Sequence, residues 1–326
     1  MRAVVIRRPG GPEVLEIGER PVPEPGAGQV RVRVHASALN RADLLQRRGR
    51  YPAPPGAPAD VPGLEYAGTV EANGPGAGLW APGNRVMGIV PGGGHAEYLC
   101  VYEREAVRIP QKLSWEEAAA VPEAFITAYD ALFSHLDLAK GERLLIHAVG
   151  SGVGTAATQL ARAAGATVIG TSRSPEKLER ARELGMSHGV LSTDAEIGPL
   201  IREATGGAGV DAVLDLVGGP LLQATLPTLA SRGRVAVLGT MGGSKVELDL
   251  GMLLQRRLRI TGSVMRTRPL EEKVALARTF SQNVLPLFTS RVIRPVIDRV
   301  LPFADVVDAH RQMEENRTFG KVVLRW

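Results

Sequence analysis

The chain of 326 residues has a single cysteine, Cys100. One thiol excludes a disulfide framework and any zinc site made from several cysteines of one chain. Aromatic residues amount to 4%, and lysine occurs six times against 33 arginines. No stretch reaches the roughly 18 consecutive apolar residues of a membrane span. The opening Met1-Arg2-Ala3-Val4-Val5-Ile6-Arg7-Arg8 has four apolar residues before two arginines. It lacks the apolar region of a secretory signal, so a cytoplasmic location with no membrane partner is expected. Hydrophobic residues are 44% and charged residues 22%, which excludes intrinsic disorder. The net charge is +5, but the arginines are scattered, the densest spots being Arg47-Arg48-Gly49-Arg50 and Arg256-Arg257-Leu258-Arg259. Nucleic acid is therefore not expected as the main partner.

What is present falls into zones of different texture, and the length favours two domains. Residues 1–110 carry short alternating runs such as Val30-Arg31-Val32-Arg33-Val34 and Arg85-Val86-Met87-Gly88-Ile89-Val90. A period of two predicts half-buried strands. Turn signals break them at 21–28, 52–62 and 74–82, which reads as a small irregular β-barrel. From about 122 to 265, apolar strands alternate with amphipathic helices. The predicted strands are 144–149, 167–171, 189–191, 210–216, 233–239 and 258–264. The pattern argues for α/β, a doubly wound parallel sheet of six strands. The rest is a helix over 270–281, then strands over 292–300 and 321–324 that should return to the first domain.

The densest signal is His147-Ala148-Val149-Gly150-Ser151-Gly152-Val153-Gly154, between the first apolar strand and a helix. Glycines there permit a tight turn, and the helix N-terminus favours a pyrophosphate. Gly150, Ser151, Gly152, Val153 and Gly154 are thus the candidate cofactor turn, although the spacing is not the strict GxGxxG. An NAD site carries a carboxylate at the end of the next strand. Here Ser172, Arg173 and Lys177 stand instead, and an Arg fork suits a phosphate. NADPH is the expected cofactor, while Glu176 leaves NADH use open. His147, inside a strand, reads as a satisfied core histidine, and Cys100 as strand filler.

Several segments carry a resemblance: Asn40–Pro52, Pro62-Gly63-Leu64-Glu65-Tyr66-Ala67-Gly68, Gly93-Gly94-His95-Ala96-Glu97-Tyr98, Ala118–Pro122 with Thr127-Ala128-Tyr129, the glycine turn, and Gly320-Lys321-Val322-Val323-Leu324. End to end, the chain resembles the zeta-crystallin-like, zinc-free quinone oxidoreductases of the medium-chain dehydrogenase/reductase superfamily. The resemblance implies a GroES-like irregular β-barrel domain over 1–122 and 266–326 and a Rossmann dinucleotide-binding domain over 123–265. It also implies a homodimer joined through the sixth strand.

Zinc-dependent relatives place Cys and His where this chain has Asn40 and Leu64, and a second Cys near Glu123. Asn and Leu cannot replace a thiolate and an imidazole, so no metal is expected. The chemistry left is hydride transfer from a reduced nicotinamide to an acceptor that is already electrophilic. The protein would orient the partners and offer donors where charge develops. By resemblance Asn40 faces the nicotinamide; with Tyr51 and Thr127 it makes the candidate catalytic set. Tyr51 reads equally well as a loop aromatic, and Asp43 as a structural partner. The resemblance further maps Gly239, Met241, Ser263 and Met265 to the nicotinamide half, Asn316 and Lys321 to tail contacts, and Ser192 to a position where relatives often carry Tyr. The leading function is an NADPH-dependent quinone oxidoreductase. A zinc-free enone or enoyl-thioester reductase stays open, with Arg47, Arg48 and Arg50 as its basic channel. So does a non-catalytic nucleotide- or RNA-binding or structural protein of the same fold.

Overall fold

The computed structural model describes residues 1–192 and 197–326, which separate into two compact units: Met1–Ile126 with Met265–Trp326, and Thr127–Val264. The first unit begins with β1 (Arg2–Ile6) and β2 (Leu15–Glu19), an antiparallel pair. Then come β3 (Gln29–Ala38), α1 (Arg41–Arg47), β4 (Glu65–Asn73), β5 (Arg85–Ile89), β6 (Tyr98–Tyr102) and β7 (Val107–Arg108). Alternation along β3 buries Val30, Val32 and Val34 on one face, against Tyr66, Val70, Val86, Leu99 and Val101, as a period of two requires.

The second unit runs β8 (Arg143–Ile146), α2 (Gly152–Ala163), β9 (Thr167–Ser172), α3 (Pro175–Glu183), β10 (His188–Leu191), α4 (Ile197–Ala204), β11 (Val210–Asp215), α5 (Gly219–Thr225), β12 (Leu229–Val237), α6 (Leu250–Arg256) and β13 (Arg259–Gly262). The six strands are parallel in the order β10-β9-β8-β11-β12-β13. This is the 3-2-1-4-5-6 order of a doubly wound sheet, whose direction reverses between the first and fourth strands. Its strands are apolar on both faces because helices cover both. Leu145, Ile169, Val213 and Val235 are at most 1% exposed, and burying each such side chain stabilises the fold by about 1.5–3 kcal/mol. The helix starts are chemically marked. Ser151 caps α2 by accepting the Gly154 N–H, and Ser174 caps α3 by accepting that of Lys177, with Pro175 in the first turn. Both arrangements satisfy N–H groups that a helix leaves open.

The chain then returns to the first unit with α7 (Leu270–Asn283), β14 (Ile297–Pro302), α8 (Val306–Glu314) and β15 (Lys321–Arg325). The unit's larger sheet has the order β14-β15-β3-β4-β5-β7, with β6 also on β3. The expected fold class stands: a six-stranded doubly wound parallel sheet and a separate irregular β unit. Several strand ends differ from expectation, as where β8 stops at Ile146 rather than 149 and β13 at Gly262 rather than 264, and two strand starts move further. β12 starts at Leu229 rather than 233, because its register against β11 breaks between Val210 and Ala212 and Arg232 turns back with φ +63°. The strand expected over 292–300 begins only at Ile297; Arg291 lies at φ +60° and Pro295 follows.

Candidate active site

In the second unit, the ends of the parallel strands bring backbone unusually close to backbone. A Cβ on Gly154 would lie 2.6 Å from the Ala148 carbonyl oxygen, and one on Gly239 2.6 Å from that of Leu216. Gly218, at φ +69°, bridges to Gly243, and its Cβ would meet the Gly243 oxygen at 2.7 Å. Side chains are excluded at these points, as a pyrophosphate laid against backbone N–H groups requires. Asp215, fully buried at the end of β11, accepts the N–H groups of Val217 and Gly218 and fixes the turn at the reversal point. Its carboxyl is pushed up by burial, against those two donors. The sequence reading missed Asp215. A lone acid ending an apolar strand was the available signal.

Of the predicted residues, Gly150, Ser151, Gly152, Val153 and Gly154 form the turn from β8 into α2. Ser172, Arg173, Lys177 and Ser192 gather at the ends of β9 and β10. The Ser192 N–H donates to the Ser172 carbonyl, and the buried Ser172 hydroxyl accepts the Ser174 N–H. Arg173 is exposed. Met241 is exposed as well, and the Ser263 N–H donates to the Val237 carbonyl beside β12. The Thr127 hydroxyl oxygen is buried and has no hydrogen-bond partner among the described residues. His147 is satisfied in the core, its ring nitrogens 3.1 and 3.0 Å from the hydroxyls of Thr171 and Thr225. The residues present fit a dinucleotide: glycine-cleared backbone, a capped helix N-terminus, and a guanidinium with hydroxyls beside it.

In the first unit the structure assembles something the sequence reading did not foresee. Lys321, in the apolar β15, is buried with Nζ 2.8 Å from the Leu39 carbonyl, 2.6 Å from Asn40 Oδ1 and 2.6 Å from Glu65 Oε1. Glu65 is wholly buried; Oε1 also accepts Asn40 Nδ2 at 2.9 Å, and Oε2 accepts the Glu123 N–H at 2.8 Å. Burial pushes Glu65 up, and Lys321 is the largest opposing influence. Asn40 donates as well to the Ala38 carbonyl, so its amide is held inside this network. These contacts do not fit a zinc ion. The Lys321 ammonium already occupies the oxygens of Asn40 and Glu65, and the buried Leu64 offers no donor atom.

Asp43 is buried and accepts the N–H groups of Asn40 and Gly63, so it is structural as expected; burial pushes it up to about 6. Arg266, 4% exposed, donates to the carbonyls of Pro91, Tyr51 and Pro52 and to Gln46 Oε1, with its guanidinium carbon 4.9 Å over the Tyr51 ring. It pins the half-buried Tyr51 loop, and burial raises the Tyr51 phenol. Glu123 presents a buried Oε2 with no partner among the described residues. Burial and then the Glu65 carboxylate push Glu123 up to about 8. Asn316, at φ +55°, accepts from Arg41. Met265 belongs to this unit, is buried, and lines a small pocket with Ile89, Ile126 and Leu276. Sequence reading missed Glu65, Glu123 and Arg266 as site residues and took Lys321 for a tail contact. The available signal was a charge inside an apolar run, as in Gly63-Leu64-Glu65-Tyr66 and Gly320-Lys321-Val322.

The basic channel expected from Arg47, Arg48 and Arg50 is corrected in one member. Arg47 is wholly buried and donates to Gly10, His310 and Glu314, so packing and ion pairing consume it. Arg48 pairs with Glu314.

Comparison with known proteins matches residues 26–111 to the alcohol dehydrogenase GroES-like domain and residues 152–282 to the zinc-binding dehydrogenase family. A quinone oxidoreductase of Pseudomonas aeruginosa is 34% identical over 97% of this chain and 96% of its own length. The rat synaptic vesicle membrane protein VAT-1 homolog is 34% identical, over 99% of this chain and 84% of its own. A 2-haloacrylate reductase of a Burkholderia species is 33% identical over 99% and 98%. Among solved structures, an NAD-dependent alcohol dehydrogenase superposes with TM-score 0.87 at 36% identity, covering 100% of both chains. A mycobacterial protein complexed with NADPH superposes with TM-score 0.89 at 29% identity, again over 100% of both.

Proposed function

The chain belongs to the medium-chain dehydrogenase/reductase superfamily, in its zinc-free, quinone oxidoreductase-like branch, and from that premise we propose that it is an NADPH-dependent reductase of quinones. The observation that carries the cofactor choice is the cationic end of β9. Arg173 stands exposed beside the hydroxyls of Ser172 and Ser192, and no carboxylate ends that strand. A guanidinium there matches a 2′-phosphate by paired hydrogen bonds. Support for the acceptor comes from the quinone oxidoreductase relative and from a first unit whose site offers hydrogen bonds and fixed charge. When bound, NADPH supplies the hydride. The chain's own residues hold and orient: Gly150–Gly154 cradle the pyrophosphate, Ser172, Arg173, Lys177 and Ser192 take the 2′-phosphate, and Gly239, Met241 and Ser263 flank the nicotinamide half. Asn40 fixes Lys321 and Glu65. Tyr51 and Thr127 donate to the acceptor oxygen as charge grows on it.

The test is NADPH and NADH oxidation against ortho-quinones, para-quinones and enones. Turnover with quinones and a preference for NADPH are expected. Activity with enones alone would replace the quinone assignment by the second reading, reduction of an activated C=C bond, which the 2-haloacrylate reductase relative favours. We infer a homodimer as well. β13 pairs only with β12 among the described residues, and Leu250, Leu254, Ile260 and Val264 are exposed in the same unit. An open parallel edge beside apolar surface invites a second copy. Light scattering at the monomer mass would overturn this.

A further inference from the structure

The first unit holds two glutamates in one cluster with unequal partners: Glu65 is wholly buried, and Glu123 is partly exposed with its Oε2 buried. Glu65 collects three donors: the Lys321 ammonium, the Asn40 amide and the Glu123 backbone N–H. Glu123 Oε2 collects none among the described residues, though it is buried. Two neighbouring carboxyls in a low-dielectric site do not both ionise; the one with donors takes the charge and the other keeps the proton. The other ionisable groups facing Glu123 are Lys321, Asp43, Arg266 and Tyr51. Lys321 is spent on Glu65 and Asn40, and Arg266 on the carbonyls of Pro91, Tyr51 and Pro52 and on Gln46 Oε1. A polar atom buried without a partner costs the fold free energy, so its persistence asks for a function.

We propose that Glu123 is the proton donor of the reduction: a carboxylic acid kept neutral beside an ionised Glu65, which delivers its proton to the oxygen of a quinone-class acceptor. The inference rests on the reductase reading above. In each turnover the acceptor gains two electrons with the hydride of bound NADPH. The O–H bond of Glu123 breaks as an O–H bond forms on the acceptor, and water returns a proton to the carboxylate. The balance is acceptor, NADPH and one proton in, reduced acceptor and NADP⁺ out. Lys321 and Asn40 act as positioning residues through Glu65, because they fix which of the two glutamates is charged. The raised affinity of Glu123 for its proton, up to about 8, keeps the donor loaded at neutral pH.

The test compares the wild type with Glu123→Gln, using NADPH and 1,4-naphthoquinone. The amide preserves shape and removes the acid. The expected result is a fall in kcat of about 10²-fold, an unchanged Kd for NADPH, and loss of the limb that ends wild-type kcat above about pH 8. Glu123→Gln with turnover near wild type and the same alkaline limb overturns the assignment. Isotope-edited infrared spectra of the wild type, with labelled glutamate, give a readout independent of any variant's folding. A protonated glutamate carbonyl band at pH 7 that fades on passing pH 8 is expected, and its absence at pH 7 overturns the proposal. A wild type that oxidises NADPH with no quinone sinks the functional reading and the donor's role with it. Wild-type turnover that Glu123→Gln leaves intact sinks the donor alone.

Discussion

The two units solve the problem of polarity in opposite ways. The parallel-sheet unit builds its candidate site from backbone: glycines clear the strand ends, and a serine caps the helix that faces them. The irregular unit builds its own from buried charge, a lysine, an arginine and Glu65 locked by hydrogen bonds from distant parts of the chain, with Glu123 Oε2 left unpaired among the described residues beside them. Backbone sites tolerate side-chain change wherever a glycine is kept. Charge networks do not, because each member's cost of burial is offset only by the others. The first unit is therefore the more fragile of the two.

Acid should show this most strongly. The irregular unit buries His95 and His310, and the parallel unit His147; burial lowers all three, His95 and His147 to about 3. Each stays neutral when folded and takes a proton when unfolded. The stability they allow is present above about pH 6.5 and is lost as pH falls toward 3. Asp43, Glu65 and Glu123, all pushed up, take up protons in the folded irregular unit as pH falls and offset part of its histidine loss, so hydrogen exchange resolved by segment, between pH 7 and pH 4, should show the two units opening at different pH. Equal opening would erase the contrast.

Next in size is Lys321→Met, which strands the buried Glu65 carboxylate. Removing one partner of a buried pair costs about 3–5 kcal/mol, to be read from urea unfolding. A loss under about 1 kcal/mol, the scale of an exposed pair, would mean that Glu65 simply takes up a proton. Arg173→Ala removes a charged hydrogen-bond donor worth about 1.5–3 kcal/mol. It should weaken NADPH by about 10- to 100-fold and spare NADH. Equal loss of both cofactors would dismiss the phosphate assignment. The smallest effect belongs to Ser151→Ala, which deletes the α2 cap for about 1 kcal/mol. Thermal melting should register it without any change in acceptor preference.

The parallel unit was legible because its rules are local. Strand and helix periods, Ser174-Pro175 and the glycines of 150–154 each act within a few residues, and six strands with intervening helices argued for a doubly wound sheet, whose order came from the structure. The irregular unit gave up its strands by the same alternation but kept its site hidden. Lys321 reaches Asn40 across 281 positions, and Arg266 reaches Gln46 across 220. In sequence, each is only a charge in an apolar setting. Arg47 shows the reverse error: a cluster of arginines suggested a solvent-facing channel, and one of them is fully interior.

The order of residues by itself determined the alternation of strands and helices, the glycine turn and the cationic end of β9. Those properties depend on neighbours a few positions away, and the backbone's own geometry enforces them. Only the tertiary structure decided which buried charges meet. That Glu65 gains three donors while Glu123 Oε2 gains none is set by the pairing of β15 with β3 and the packing of residues 122–126 against β4. Electrostatic energy in a low-dielectric interior depends on distances across the fold, and positions along the chain do not encode them.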